Sequence, residues 1–195
     1  MSGLRVLGID QSLTSSGLAL YEPDNGTVTL ARVQPKARGH ERLALILAQV
    51  NDWATACDLV AIEGLSFGAR GSALLELAGL QHLIRHELWS RGIPYVIIDP
   101  ATRAKYITGS GAAPKDDCLV AAVRRFPDLP IAGNDQADAL VLLAMACDYY
   151  GQPLTRMPAD RTALLRAVRT EKNRKGQPKI AWPVIERKTA SWPHQ

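Results

Sequence analysis

Residues 4–10 are apolar on both alternating sets of positions, which predicts a strand covered on both faces and central in a sheet. Residues 17–21 repeat that pattern. Asp24-Asn25-Gly26 is a hairpin turn signal, and residues 27–33 are the expected return strand. Two hairpin connections make these three strands antiparallel. The period then changes. Leu43, Ile46, Leu47, Val50 and Trp53 recur at helical spacing, so residues 40–56 are expected to be a helix. Residues 59–62 form a short apolar strand, residues 64–71 a Gly/Ser-rich loop and residues 72–90 a long helix stopped by Gly92. A fifth strand, residues 95–98, is closed by Asp99-Pro100. Gly109 to Ala113 is read as a flexible connection. Helices follow over residues 114–125, with Pro114 in the first turn, and 135–149, capped by Asn134. Three antiparallel strands followed by helix-linked strands give an α/β fold, a mixed five-stranded sheet flanked by helices.

After Gly151 the composition shifts. Pro153, Pro158, Pro178, Pro183 and Pro193 punctuate a basic stretch in which one short helix over residues 161–170 is expected, with poor order beyond it. The chain therefore divides into a body, residues 1–151, and a C-terminal extension, residues 152–195, expected to be partly disordered. Residues 1–150 carry 13 Lys and Arg against 16 Asp and Glu, net −3; residues 151–195 carry 10 against 3, net +7. An acidic body with a cationic tail points to a polyanionic partner, most simply nucleic acid.

Charge and composition also exclude several classes. At 195 residues, 47% hydrophobic and 22% charged, the chain is neither disordered nor fibrous. No apolar run approaches the ~18–20 residues that span a membrane, and no order of charged, apolar and cleavage segments marks a signal peptide. Cys57, Cys118 and Cys147 are widely spaced and odd in number, which argues against a disulfide framework or zinc ribbon. They read as buried small residues, and a reducing cytoplasm is the expected compartment.

Candidate chemistry lies in the carboxylates. Three central strands end alike: Ile9 before Asp10, Ile62 before Glu63, Ile98 before Asp99. A charge at the end of a buried strand is costly unless it is paired, caps a helix or binds a cation. Asp135 and Asp138, three apart at the start of an otherwise apolar helix, share one face. If they converge with the strand ends, several negative charges share a small volume. Two of them 4 Å apart repel by ~4 kcal/mol at an effective dielectric of 20. That repulsion calls for a cation and predicts that Asp138→Asn raises the melting temperature without metal. An all-oxygen site suits Mg²⁺ or Mn²⁺ better than zinc, and two such ions serve phosphodiester hydrolysis. His82 and His86 are spaced to bind metal, but without an HExxH pattern they read as a helix face.

Four motifs then carry a resemblance: Leu7-Gly8-Ile9-Asp10 with Gly17; Ala61-Ile62-Glu63-Gly64; Gly109-Ser110-Gly111 leading to Lys115; and Asp135-Gln136-Ala137-Asp138-Ala139-Leu140. Their order over residues 4–150 resembles the RuvC-type Holliday-junction resolvases of the ribonuclease H-like superfamily. The resemblance implies a metal-dependent endodeoxyribonuclease that cuts four-way or other branched DNA in recombination and repair. It implies Asp10, Glu63, Asp135 and Asp138 as catalytic acids holding Mg²⁺, with Mn²⁺ as substitute. Lys115 would be the basic residue near the scissile phosphate; a surface lysine at a helix start is the bland alternative. Phe67 and Arg70, after the glutamate, would touch DNA, although the offset of Phe67 departs from the family pattern. Gln11-Ser12 departs too, where Pro-Gly is usual. Asp99 matches no family acid and is left to cap the next helix. The resemblance further implies a homodimer, with the 72–90 helix as candidate interface. The rivals are a same-fold nuclease acting on RNA–DNA hybrid or fork and flap DNA, and a catalytically inactive junction-binding module.

Overall fold

The computed structural model describes residues 3–65, 72–168 and 174–185. Strands β1 (Val6–Asp10), β2 (Ser16–Glu22) and β3 (Thr27–Val33) form an antiparallel meander. β4 (Leu59–Glu63) pairs parallel to β1, and β5 (Tyr95–Ile98) parallel to β4. The sheet order is β3-β2-β1-β4-β5. Parallel neighbours need crossovers, and α1 (Gly39–Ala54) and α2 (Ser72–Ser90) supply them. Both pack on one sheet face. The other face is covered by α3 (Pro100–Thr108), α4 (Lys115–Arg125) and α5 (Asn134–Tyr149).

Strand alternation sorts the core into two layers. Leu7, Ile9, Val60 and Ile62 meet Ile46, Val50, Leu80 and Ile84 on the α1–α2 side. Val6, Leu59 and Ala61 meet α5 on the other. By the same alternation Gly8, Asp10 and Glu63 face α5. That helix is buried from Gln136 to Cys147 and crosses β1, β2 and β4. At two points it lies too close to admit a side chain. A Cβ at Gly8 would stand 2.2 Å from the Ala139 carbonyl oxygen, and one at Gly17 1.9 Å from that of Asp135. The two glycines thus bring the acidic start of α5 down onto the strand ends.

The strands and long helices follow the hydrophobic pattern, with small differences. Pro114 is the N-cap of α4 rather than its first residue, and Asn134 opens α5 with Gly133 before it. The larger difference is α3, which the periodicity leaves unassigned. Its signals are present nonetheless. Asp99 accepts the Thr102 backbone N–H at 2.8 Å, Pro100 begins the helix, and Gly109 ends it at φ 96°. Asp99 is therefore a cap. All three cysteines are free and buried.

The extension folds back onto the body. α6 (Ala159–Thr162) runs into a 3-10 turn, Ala163–Arg166, in place of one longer helix. Order continues past it: the Lys179 N–H donates to the Ala167 carbonyl at 2.8 Å, and Leu165 and Ile180 are buried. Trp182 stacks on Tyr149 with ring centroids 4.4 Å apart and donates to the Leu165 carbonyl at 2.8 Å. Such contacts replace the poor order expected for residues 174–185. Arg161 reaches into the body, donating to the carbonyls of Lys105, Tyr106 and Thr108 at the end of α3. No helix among the described residues is long and apolar enough to cross a membrane.

Candidate active site

β1, β4 and α5 deliver Asp10, Glu63 and Asp138 to one end of the sheet. Asp10 and Asp138 are buried, and Glu63 is mostly so. Burial pushes the Asp10 carboxyl well above the usual range, and the negative charges of Glu63 and Asp138 push it further. Asp138 is pushed up to about 6, chiefly by burial, against the pull of a neighbouring arginine.

That arginine is Arg103, on the helix the periodicity misses. It is 4% exposed and pairs with two acids at once: Nε with Glu63 Oε1 at 2.6 Å, Nη1 with Asp138 Oδ1. Burial opposes its charge, yet Glu63 and Asp138 outweigh that and hold it protonated above its ordinary value. Two further residues shape the site. Gln11 Nε2 and Gln81 Nε2 donate to the Glu63 carbonyl at 2.7 and 2.8 Å, tying the end of β1 and the middle of α2 to β4. The departure from Pro-Gly after Asp10 thus supplies an amide that fixes Glu63. Gln11 Oε1 is buried without a hydrogen-bond partner among the described residues.

Asp135 stands apart from the other three. One turn before Asp138, it accepts a hydrogen bond from the Ser15 hydroxyl in the β1–β2 loop, and its charge reaches Asp138. Lys115, at the exposed start of α4, lowers the proton affinity of Asp138 through its charge. It lines a cavity of about 660 Å³ with Arg103, Lys105, Gly111 and, from the extension, Lys179. Phe67 and Arg70 lie outside the described residues.

The donor set is carboxylate oxygen throughout, which suits a hard divalent cation, and an orphaned amide oxygen lies next in the chain to Asp10. As the side chains lie, no three His, Cys, Asp or Glu among the described residues are arranged to hold a metal ion. The guanidinium of Arg103 supplies positive charge to the carboxylates instead. The hydrophobic period gives neither the extent of α3 nor Arg103; Asp99-Pro100 followed by Gly109 is the signal that bounds this helix.

No protein-family model matches the chain. Over 155 residues it is 31% identical to the crossover junction endodeoxyribonuclease RuvC of Corynebacterium glutamicum, covering 74% of this chain and 70% of that protein. It is 31% identical over 149 residues to the RuvC of Paenarthrobacter aurescens, covering 71% and 78%. Among solved structures, Thermus thermophilus RuvC matches with a TM-score of 0.56 at 19% identity, over 72% of this chain and 91% of that one. The T. thermophilus RuvC complex with a Holliday junction substrate matches with a TM-score of 0.55 at 22% identity, over 72% and 90%. The fold shared with these structures is the ribonuclease H-like one expected from the sequence.

Proposed function

The chain belongs to the RuvC family of crossover junction endodeoxyribonucleases, and from that premise we propose that it resolves Holliday junctions by metal-dependent phosphodiester hydrolysis. The observation that carries the proposal is the convergence of Asp10 and Glu63 with Asp138 of α5, made possible by Gly8 and Gly17. These three residues, with Asp135 at the rim, would hold the divalent cations, Mg²⁺ with Mn²⁺ as substitute. Bound there, such ions polarise the phosphate, lower the pKa of water and stabilise the leaving oxygen. The chain's own part is positional. Gln11 and Gln81 fix Glu63 through its carbonyl, Ser15 orients Asp135, and α5 holds Asp138 against β1. Lys115, with Lys105 and Lys179 on the same cavity wall, would receive the phosphate backbone. Phe67 and Arg70 are assigned to DNA contact from the sequence motif alone.

Resolution needs two cuts, hence two copies. Leu75 and Trp89, 75% and 71% exposed, share an outer face of α2 with Leu83 and Gly79. That face is assigned as the homodimer interface, and the cytoplasm as the compartment. Cleavage of a labelled four-way junction beside linear duplex tests the function, with Mg²⁺, Mn²⁺ or chelator and Asp10→Asn as control. Paired, metal-dependent nicks absent in the variant are expected. Preference for RNA–DNA hybrid or flap DNA in competition would redirect the substrate. A second reading, an inactive junction binder, draws on Arg103 neutralising two of the acids; it requires tight binding with no cleavage in any metal.

A further inference from the structure

The acid cluster contains a cation of its own. Arg103 spans Glu63 and Asp138, and its hydrogen bonds use carboxylate lone pairs that metal coordination would need. We propose that Arg103 is an internal counter-ion that competes with divalent cations for Glu63 and Asp138, so that loading of the site requires its guanidinium to leave both carboxylates. The proposal rests on the assignment of these carboxylates as the metal-binding acids.

Three features support exchange rather than a fixed structural pair. The guanidinium puts a full positive charge within hydrogen-bond distance of two acids, where it repels an arriving dication. Its backbone is immobilised. Asp99 caps the start of α3, and Arg161 holds the carbonyls at its end, so movement falls on the side chain. There is also room, because Arg103 already lines the 660 Å³ cavity beside the site, together with Lys105, Lys115 and Lys179. A long, unbranched side chain reaches such a space by a change of rotamer. Outside the cluster, Arg103 would add a fourth cation to a wall suited to the phosphates of DNA. The device keeps like charges compensated in the unloaded protein and returns the guanidinium to the substrate side when the site is loaded.

The test is Mn²⁺ binding to the full chain, read from the paramagnetic resonance signal of free Mn²⁺. Arg103→Gln should bind at least about tenfold more tightly than the wild type, and adding Asp10→Asn should remove the gain. Equal or weaker binding by Arg103→Gln, with Asp10→Asn still weakening the wild type, would overturn competition and leave the acids as the metal site. Wild-type binding untouched by Asp10→Asn would overturn both. A measurement on the unmodified protein covers failure of the variant to fold. In ¹⁵N-labelled protein, the Arg103 Nε–H resonance should shift on saturation with Mg²⁺, and an unmoved resonance would overturn the proposal.

Discussion

Two arginines bridge carboxylates at opposite ends of the same strands, and comparing them separates chemistry from environment. Arg5, just before β1, pairs through its guanidinium with Glu22 at the end of β2, and its backbone N–H donates to Asp58 just before β4. The two side chains of its ion pair are 26% and 32% exposed. Arg103 pairs with Glu63 and Asp138, where arginine and aspartate are almost fully enclosed. Both clusters join elements the core has already brought together. Near water, each charge keeps part of its hydration, so the Arg5 pair contributes ~0–1 kcal/mol and is screened by salt. In the enclosed cluster, each charge is tolerated because the other is present, and removal of one strands its partner. The outer cluster fastens two strands; the inner one occupies a site built for something else.

The largest effect expected from breaking the inner cluster is on catalysis. Asp10→Asn should lower junction cleavage by about 10³-fold or more while leaving junction binding intact, since several kcal/mol of transition-state stabilisation depend on metal held there. The same change should raise the metal-free melting temperature, because Asp10 is the acid whose charge the fold accommodates least. Rates and melts of one variant measure both. Next, Arg103→Gln should cost ~3–5 kcal/mol of metal-free stability in urea unfolding, with part of it regained in Mg²⁺. Asp138→Asn should act the other way: its carboxyl is raised to about 6 even with Arg103 beside it, so near neutral pH the ionised form is disfavoured and the variant should melt higher without metal.

A smaller effect concerns pH. Asp138 has a carboxyl pKa of about 6 in the folded chain against 3.8 as its ordinary value. The folded form therefore binds the proton more tightly than the unfolded one. Its contribution is greatest below pH ~4 and is lost as pH rises to ~6, by up to about 3 kcal/mol. Asp10 acts in the same direction. Urea melts from pH 4 to 7 in chelator, wild type minus Asp138→Asn, should show that fall; a flat difference would contradict it. The smallest effect lies at the outer cluster. Glu22→Gln should cost under about 1 kcal/mol, and 1 M salt should erase the difference.

The legible part of the molecule is the part governed by repetition. Alternation in β1 and β4, and the helical period of α1, α2 and α5, are imposed by burial over many residues, so they survive in composition. Asp10, Glu63 and Asp138 were legible as acids that a buried strand or helix does not tolerate without cause. Arg103 was not, because a buried basic residue in a helix of only nine residues carries no periodic mark. Its meaning comes from tertiary proximity to Glu63 and Asp138, 40 and 35 positions away in the chain. The packing of residues 174–185 is illegible for a related reason. Proline and charge describe a polar segment, whereas its placement depends on Trp182 stacking on Tyr149 of α5 and on the burial of Ile180.

The reach of Arg161 into the end of α3 bears on how this protein is handled. Composition suggests trimming the chain near residue 151, where the basic stretch begins. That cut would leave three carbonyls of α3 without their donor and loosen the helix that aims Arg103 at the acids. A shortened enzyme would then show altered metal requirements as well as weaker DNA binding, and the two losses would be read as one. Point changes at Arg161 and Lys179, made separately in the full-length chain, keep the bookkeeping of helix support and DNA contact apart.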